Sequence, residues 1–258
     1  MIIVRDIADL ENALAPYRRD ETSIGFVPTM GALHAGHLSL VSLARQHCDI
    51  VVASIFVNPT QFAPGEDFES YPRTEDEDCE KLGHADVDVV FMPAKNVLYP
   101  DGTETDIKAG QAAQGLETDF RPHFFDGVVN VVHRLFDAVK PDIAVFGEKD
   151  YQQLMVIREM VETLDLPIRI IGGEIVRDAQ GLALSSRNAY LSDAELEIAR
   201  SLNVLLRAAA RSGDYDAAEA ALLANGFDKV DYVAERWGRV LGAAWLGKTR
   251  LIDNVPQD

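Results

Sequence analysis

The chain has 258 residues, a length that fits one large domain or one large and one small domain. Its 24 basic and 42 acidic side chains give a formal net charge of −18, which opposes binding to nucleic acid or to an anionic membrane surface. With 47% hydrophobic and 26% charged residues, the composition excludes wholesale disorder and predicts a folded globular protein.

The N-terminal residues and the cysteines indicate the compartment. A short apolar run is followed by acidic residues from Asp6 onward, which does not fit a signal peptide. No apolar run approaches the roughly 18 residues that a membrane-spanning helix needs. Cys48 and Cys79 form no CxxC motif, and two thiols in a chain of this length fit a reducing environment. We therefore expect a cytoplasmic protein that binds neither a membrane nor nucleic acid.

Apolar runs that end in turn residues predict five strands, at residues 24–29, 50–57, 87–92, 143–146 and 168–176. Helical patterns lie between them. Thr74 and Glu77 form a capping box for a short helix, and apolar residues recur on one helix face from Val128 to Val139. Alternating strands and helices predict an α/β fold, a Rossmann-like parallel sheet with helices on both faces. Such sheets bind ligands beyond the carboxyl ends of their strands.

The pattern changes after residue 176. Ser192 and Glu195 form a second capping box, for a helix that runs to about Arg211, and another helix is predicted at 217–225. Two β-like runs follow, at 230–233 and 240–246, joined by a short connector. We therefore predict a Rossmann-like domain over residues 1–176 and a small C-terminal α+β domain, acting as a lid, over residues 177–258.

Two histidines follow the first predicted strand, in the segment MGALHAGH at residues 30–37. The spacing of His34 and His37 places their imidazoles one helical turn apart on one face. A strand, a glycine turn and a helix start direct backbone N–H groups and the positive end of the helix dipole towards one point, which suits phosphate. For the pair alone, a metal site and two solvated histidines stay open as alternatives.

Neutral amides and a lysine follow two other strands. Asn58 and Gln61 suit a small hydroxy-acid substrate, or else belong to an exposed turn. In the segment GEKD at residues 147–150, Lys149 supplies a cation, and Gln153 lies one turn into the next helix. The alternative for this segment is a capped helix with a solvated lysine.

Two further polar segments are ambiguous. Ser185, Ser186 and Arg187 can clamp phosphate oxygens, or they belong to a polar linker between the domains. Asp78 lies in an acidic helix start and is a candidate Mg²⁺ ligand. Alternatively, the acidic side chains of that helix only complement its dipole.

Six sequence blocks lie in order between about residue 24 and residue 254: PTMGALHAGHLSL, FVNPTQF, YPRT, GEKDYQQL, LALSSRNAYLS and AAWLGKTRLIDN. Together they resemble the pantothenate synthetase (pantoate–β-alanine ligase) family. More distantly, the chain is similar to the HIGH-motif nucleotidylyl transferases, with His34–His37 as that signature. The chain departs from the family at residues 121–125, which read RPHFF where the family usually has RPGHF, and in a shorter connector between Val233 and Arg239.

The resemblance implies an ATP- and Mg²⁺-dependent reaction in two steps. Pantoate and ATP would give pantoyl-adenylate and pyrophosphate, and β-alanine would then displace AMP to give pantothenate. His37, His34 and Lys149 would be catalytic, Gln61 and Gln153 would hold pantoate, with Gln61 also near β-alanine, and the protein would be a homodimer. ATP would contact Met30, Gly31, Ala32, Leu33, His34, Ala35, Gly36, His37, Gly147, Glu148, Lys149, Asp150, Val176, Leu184, Ser185, Ser186 and Arg187.

Two other functions fit parts of the sequence: a nucleotidylyl transferase acting on a phosphate ester, and a nucleotide-binding module without catalysis. A phosphate-ester acceptor calls for more cations than the neutral amides supply. The two histidines together with Lys149 argue against a module without catalysis.

Overall fold

A parallel sheet forms the centre of the first of two structural units. The computed structural model describes residues 1–19, 22–62, 68–104 and 107–257. The first unit comprises Met1–Gly147 and Gln152–Gly173, and the second comprises Glu148–Tyr151 and Glu174–Asp258. The segment Glu148–Tyr151, which the sequence prediction assigns to the N-terminal domain, groups with the C-terminal unit, because a side chain of the last strand binds its backbone.

Among the described residues, the sheet of the first unit has six parallel strands in the spatial order β1-β4-β3-β2-β5-β6. The strands are β1 Ile2–Val4, β2 Ile24–Thr29, β3 Ile50–Ile55, β4 Val89–Phe91, β5 Ile143–Gly147 and β6 Arg169–Gly173. This topology confirms the predicted Rossmann-like α/β fold. The sequence does not predict β1, because this three-residue edge strand leaves Ile2 and Ile3 about half exposed.

Helices flank the sheet. They are α1 Ile7–Arg19, α2 Ala35–His47, α3 Glu75–His84, α4 Lys95–Leu98, α5 Glu117–Phe120, α6 Phe124–Val139 and α7 Tyr151–Thr163. The helix predicted after Thr74 begins at Glu75, but the predicted capping box is wrong. Thr74 makes no side-chain cap, because its hydroxyl donates to the carboxylate of Asp78 at 3.1 Å instead. None of the helices in the described ranges is both long enough and apolar enough to cross a membrane.

Alternate side chains of β2 pack on opposite faces of the sheet. Val27 belongs to a buried cluster with Val41 of α2 and Leu82 of α3. Phe26 lies on the other face, where its ring meets the ring of Phe136 in α6 edge-on, with 6.3 Å between centroids. The period of two along the strand therefore places helices on both faces, as the sequence predicts.

The second unit packs two helices on a three-stranded antiparallel sheet. Its elements are α8 Asp193–Ser212, α9 Tyr215–Ala224, β7 Lys229–Arg236, β8 Arg239–Leu246 and β9 Thr249–Pro256, with the strands in the order β7-β8-β9. Leu202 and Leu206 of α8 are buried in one cluster with Val240 of β8. The Ser192–Glu195 capping box is confirmed, since the Ser192 N–H lies 2.8 Å from the Glu195 carboxylate.

The short connector between β7 and β8 is a two-residue hairpin turn. Trp237 and Gly238 both have positive φ, at 56° and 69°. A turn with two left-handed residues matches the twist of the strands that it joins. The sequence does not predict β9, because Asp253 and Asn254 separate the pair Leu251 and Ile252 from Val255, so that the strand shows neither a continuous apolar run nor a strict alternation.

Candidate active site

Polar segments follow three neighbouring strands of the sheet. β2 lies between β3 and β5, and all three strands are parallel. The residues that follow them, at 30–37, 58–61 and 147, therefore share the carboxyl edge of the sheet. The chain continues from β2 to β3 and β4 on one side and places β5 and β6 on the other. Such a reversal of strand order is where α/β sheets bind ligands.

The turn after β2 has an unusual backbone. Gly31 has φ 82° and Ala32 has φ 50°, so two successive residues are left-handed. The Thr29 hydroxyl accepts from the Gly31 N–H at 3.2 Å and donates to the Ser54 carbonyl at 2.7 Å. These bonds hold the turn against β3. A left-handed alanine costs free energy, which the surrounding contacts must offset.

Asp78 of α3 supplies much of that support. Its side chain is fully buried, and its carboxylate accepts from the backbone N–H groups of Ala32 at 2.8 Å and Leu33 at 2.7 Å. Lys81 donates to the Leu33 carbonyl at 2.9 Å. Because the protein engages both oxygens of Asp78, this geometry favours a structural role over the predicted role as a Mg²⁺ ligand. The described part of the chain contains no group of three His, Cys, Asp or Glu side chains that could hold a metal ion.

The two histidines lie side by side at the start of α2. His34 is the N-cap, and its Nδ1 accepts from the Gly36 N–H at 3.1 Å. The His37 Nδ1 accepts from the His34 N–H at 3.3 Å. The two ring centroids are 4.0 Å apart, and the ring planes are tilted by 38°. The predicted proximity of the two imidazoles is therefore confirmed.

These bonds assign the neutral tautomer of both rings. A neutral imidazole has one N–H donor and one acceptor nitrogen, and here Nδ1 is the acceptor in both histidines. The proton then lies on Nε2. Two Nε2–H donors at the N-terminus of a helix are suited to bind an anionic oxygen, and the helix dipole adds to the attraction.

Asn58 has a structural role. It is 1% exposed, its Nδ2 donates to the Gly127 carbonyl at 3.2 Å, and its Oδ1 accepts from Thr60 and from the Tyr99 hydroxyl. Burial raises the pKa of Tyr99, so this hydroxyl stays a donor. Asn58 thereby holds the single turn Pro59–Gln61, whose last residue is a predicted pantoate ligand.

Arg121 reaches the same turn. Its guanidinium donates to the Gln61 carbonyl at 2.9 Å, lies 3.8 Å from the Glu117 carboxylate and covers the ring of Phe124 at 3.8 Å. His123 has φ −110° and ψ 2°, which any residue adopts, so the RPHFF sequence needs no glycine at this position. Arg121 therefore supports the turn that carries Gln61, and the sequence does not reveal this contact.

Adjacent glutamines of α7 have different environments. Gln152 is 2% exposed and bonds to the Glu117 N–H and to the carbonyls of Ala112 and Gly115, each at 3.1 Å. Gln153 is half-buried, and its amide makes no hydrogen bond to any residue in the described ranges. Gln61 is likewise half-buried, with its side-chain amide unbonded to the described residues. The two predicted ligands thus keep their amides available.

The remaining candidates lie in the second unit. Lys149 is about one fifth exposed, with Nζ 3.1 Å from the Asp150 carboxylate. Val176 and Leu184 are joined by a backbone hydrogen bond of 2.9 Å across a hairpin. Ser185 follows and caps a short helix, Ser186–Tyr190, by accepting from the Arg187 N–H at 3.3 Å.

Both cysteines are free thiols with raised pKa values. Burial raises the pKa of Cys48, whose Sγ donates to the Ala44 carbonyl at 2.8 Å. Burial also raises the pKa of Cys79, with a further contribution from the Glu75 carboxylate. Because the thiolate is the nucleophilic form, both side chains act as small packing groups.

Comparison with known protein families covers nearly the whole chain. The family model for pantoate-beta-alanine ligase matches residues 2–256. The pantothenate synthetase of Mesorhizobium japonicum is 52% identical over 273 residues, which cover 98% of this chain and 96% of the relative. That of Maricaulis maris is 51% identical over 271 residues, which cover 96% of this chain and 94% of the relative.

Solved structures agree with the sequence comparison. A pantothenate synthetase from Thermus thermophilus has a TM-score of 0.91 and 42% identity, and the match covers 99% of both chains. A pantoate-beta-alanine ligase from Francisella tularensis, complexed with beta-gamma ATP and beta-alanine, has a TM-score of 0.92 and 38% identity. The match covers 100% of this chain and 98% of that one.

Proposed function

The chain belongs to the pantoate–β-alanine ligase family, and on that premise we propose that it condenses (R)-pantoate with β-alanine through a pantoyl-adenylate. The protein is a ligase of pantothenate biosynthesis. In the first step, a pantoate carboxylate oxygen attacks the α-phosphorus of ATP and pyrophosphate leaves. In the second, the β-alanine amine attacks the acyl carbon of the adenylate, and AMP leaves with the bonding electron pair.

The paired histidines at the start of α2 carry this proposal. Attack on the α-phosphorus needs alignment and stabilisation of charge rather than a covalent intermediate with the protein. Fixed by their bonds at Nδ1, the rings of His34 and His37 donate from Nε2 to phosphate oxygens. Donors held in place before the reaction cost no reorganisation when negative charge grows on the leaving group.

The remaining contacts are assigned by position in the family motifs. Gln61 and Gln153 bind the hydroxyl and carboxylate groups of pantoate, and Gln61 also lies near β-alanine. Neutral amides suit this pocket, because they can donate and accept without competing as nucleophiles. Lys149 is the third catalytic residue. ATP contacts Met30, Gly31, Ala32, Leu33, His34, Ala35, Gly36, His37, Gly147, Glu148, Lys149, Asp150, Val176, Leu184, Ser185, Ser186 and Arg187.

Mg²⁺ would be held chiefly through the phosphates of ATP. Within the described ranges no group of three His, Cys, Asp or Glu side chains could hold the ion, and the oxygens of Asp78 bind backbone N–H groups. Mg²⁺ commonly binds through substrate phosphates and retains several waters. Mg²⁺ would neutralise part of the negative charge on the phosphates. The two histidines and Lys149 are the groups of the protein that stabilise the same charge.

The protein acts in the cytoplasm as a homodimer. Cys48 and Cys79 are both free, and unpaired thiols fit a reducing compartment. The dimer is carried over from the family. Light scattering on the purified protein tests it, with twice the mass of 28.4 kDa expected.

Product analysis tests the activity. With ATP, Mg²⁺, pantoate and β-alanine, the purified protein is expected to release AMP and pantothenate in equal amounts, and omission of either organic substrate abolishes pantothenate formation. Phosphate esters offered in place of pantoate are expected to accept no nucleotidyl group. Transfer to a phosphate ester, or ATP binding without turnover, would contradict the proposal.

A further inference from the structure

One dipeptide near the end of the chain contacts both proposed ATP-binding segments of the second unit. These segments are Glu148–Asp150, with Lys149, and the hairpin at 176–184 that leads into Ser185. Asp253 and Asn254 are adjacent residues of β9, and they are 4% and 1% exposed. Neither residue was among the candidates from the sequence, although both end the block AAWLGKTRLIDN.

Asn254 binds the segment that carries Lys149. Its Nδ2 donates to two successive carbonyls, that of Glu148 at 2.8 Å and that of Lys149 at 3.0 Å. The two hydrogens of one amide are thereby used on adjacent peptide groups. Its Oδ1 accepts from Nε of Arg239, whose guanidinium also lies 3.5 Å from the Glu148 carboxylate. The side-chain amide therefore fixes the peptide orientation from which Lys149 extends.

Asp253 binds the hairpin. The guanidinium of Arg177 donates to both carboxylate oxygens of Asp253, at 2.6 Å and 2.9 Å, in a two-bond ion pair. The same guanidinium donates to the carbonyls of Gly181 and Asn254, at 3.0 Å and 3.2 Å. Asn203 of α8 adds a bond to Asp253 at 3.2 Å. Planar pairs of this kind fix orientation as well as distance.

The strand geometry explains how two neighbours reach two segments. Successive side chains of a strand point to opposite faces of the sheet. Leu251 and Val255 belong to the core cluster that contains α8, and Asp253 shares their face by its spacing. Asn254 therefore points to the other face. A single rigid strand thus holds one proposed ATP-binding segment on each face of its sheet.

We propose that Asp253 and Asn254 are positioning residues for the adenylation step, because they hold Lys149 and the hairpin before Ser185 in a fixed mutual register. The inference rests on the proposed function. Small misplacements of a group that orients a reactant reduce rates strongly, with about 10²-fold lost for about 1 Å. Variants that remain folded are therefore expected to lose ATP-dependent exchange activity.

Isosteric variants separate positioning from folding. Asn254→Asp keeps the acceptor for Arg239 but removes both donors to the 148 and 149 carbonyls. Asn254→Ser is shorter and loses the direct bonds to both carbonyls, but it introduces no negative charge beside them. Asp253→Asn breaks the two-bond pair with Arg177. Asp231→Asn is the matched control, because Asp231 is a fully buried carboxylate with an arginine partner in the same sheet, and it contacts neither segment.

Pantoate-dependent exchange of labelled pyrophosphate into ATP is the readout, with thermal melting as a check of folding. Asn254→Asp and Asp253→Asn are expected to lower kcat/KM for ATP about tenfold or more and to change the pantoate KM less than about twofold. Asn254→Ser is expected to lie between wild type and Asn254→Asp. Asp231→Asn is expected to melt earlier and to keep its kinetic constants.

A double substitution tests the connection to Lys149. Because Asn254 acts through the lysine, Asn254→Asp added to Lys149→Ala is expected to lower the exchange rate less than about twofold further. The inference would be overturned if the folded variants kept unchanged ATP kinetics. It would also be overturned if the rate loss in the double variant equalled the product of the losses in Asn254→Asp and Lys149→Ala. Absence of exchange in the wild-type protein would instead refute the proposed function. If Asn254→Asp does not fold, Asn254→Ser and Asp253→Asn decide the matter.

Discussion

At the scale of single residues, His37 takes part in the capping box of α2 and is also the residue that we propose as a donor to phosphate. Its Nδ1 accepts the N–H of His34, at the position where a capping box usually has Glu or Gln. The same bond leaves the proton on Nε2, the atom proposed to face phosphate. The hydrogen bond that caps α2 therefore also fixes the orientation of the His37 ring.

His37→Ala and His37→Gln separate these two contributions. Both variants are expected to lose about 10²-fold or more in kcat, because neither has an imidazole whose Nε2–H is held at the position of the His37 ring. Glutamine is a normal capping-box residue, so the melting temperature of His37→Gln is expected to stay near that of wild type. His47→Ala, at the other end of α2, is the control and should retain activity. Near-normal turnover in either His37 variant would refute the assignment.

Neighbouring glutamines of α7 give a matched pair. Gln153→Ala is expected to raise the pantoate KM with little change in stability, because its amide is available for substrate. Gln152→Ala is expected to destabilise the fold by about 1–3 kcal/mol, because it leaves the Glu117 N–H and two carbonyls unpaired. Saturation curves and urea unfolding measure the two effects. The reverse pattern would contradict the assignment of the pocket.

Asp178 makes stability depend on pH. Its pKa is lowered despite the opposing effect of burial, because backbone N–H groups of Leu182 and Gln180 and the Arg200 guanidinium bind the carboxylate. A lowered folded pKa gives stability that is present above the unfolded pKa of about 3.9 and is lost as pH falls through the folded value.

Urea unfolding between about pH 5 and pH 3 checks this linkage. The free energy of unfolding of Asp178→Asn is expected to fall less steeply with acidification than that of wild type. Glu162→Gln, at an exposed position near the end of α7, is the control and should keep the wild-type slope. Equal slopes in wild type and Asp178→Asn would show that Asp178 does not contribute.

At the scale of elements, Gly127 sets the distance between α6 and the turn Pro59–Gln61. A Cβ at this position would lie 2.4 Å from the Thr60 carbonyl oxygen, which belongs to the backbone and cannot rotate away. Asn58 bridges the same two elements through the Gly127 carbonyl. The location of Gln61 therefore depends on a glycine of a neighbouring helix.

Gly127→Ala is expected to lower the stability by about 1–3 kcal/mol and to raise the pantoate KM, because the turn that carries Gln61 must move. Gly83→Ala is the control: Gly83 is also helical, and its Cβ would meet nothing closer than Met1 at 3.8 Å. Alanine is the better helix former, so the control should be neutral or slightly stabilising. An unchanged pantoate KM in Gly127→Ala would show that Gly127 does not determine the position of Gln61 in the pantoate pocket.

The sequence predicts elements well where burial is continuous. β2 matches its prediction at both ends, because its run follows Ser23 and ends at Thr29 just before the Gly31 turn, and the buried face of α6 follows the helical period. β1 and β9 are missed, because a three-residue edge strand and a strand interrupted by Asp253 and Asn254 lack a continuous apolar run. Thr74 appears as a cap in the sequence but binds Asp78, a choice that only the fold determines.

The candidate site shows the same division. The histidine pair can be predicted, since its spacing and its place after a strand are local in sequence. The roles of Asp78, Arg121 and Asn254 cannot, because each acts on the backbone of a residue at least 45 positions away in the chain. Residues that support a site from so far away in the chain form no local sequence pattern by which they could be recognised.

At the scale of the whole molecule, the proposed ATP contacts are divided between two structural units. The residues at 30–37 and Gly147 belong to the first unit, and those at 148–150, 176 and 184–187 belong to the second. Residues 148–150 belong to the second unit, although Gly147 before them and Gln152 shortly after them belong to the first. Each unit therefore offers proposed contact residues that can be varied separately.

Isotope exchange between pyrophosphate and ATP tests the central claim, that this chain forms a pantoyl-adenylate. The first half-reaction releases pyrophosphate before the amine takes part, and it is reversible. Labelled pyrophosphate is therefore expected to enter ATP when enzyme, Mg²⁺ and pantoate are present and β-alanine is absent. Omission of pantoate is expected to stop the exchange, and addition of β-alanine to release AMP in proportion to pantothenate. Exchange that does not depend on pantoate, or that occurs only with β-alanine, would contradict the two-step mechanism.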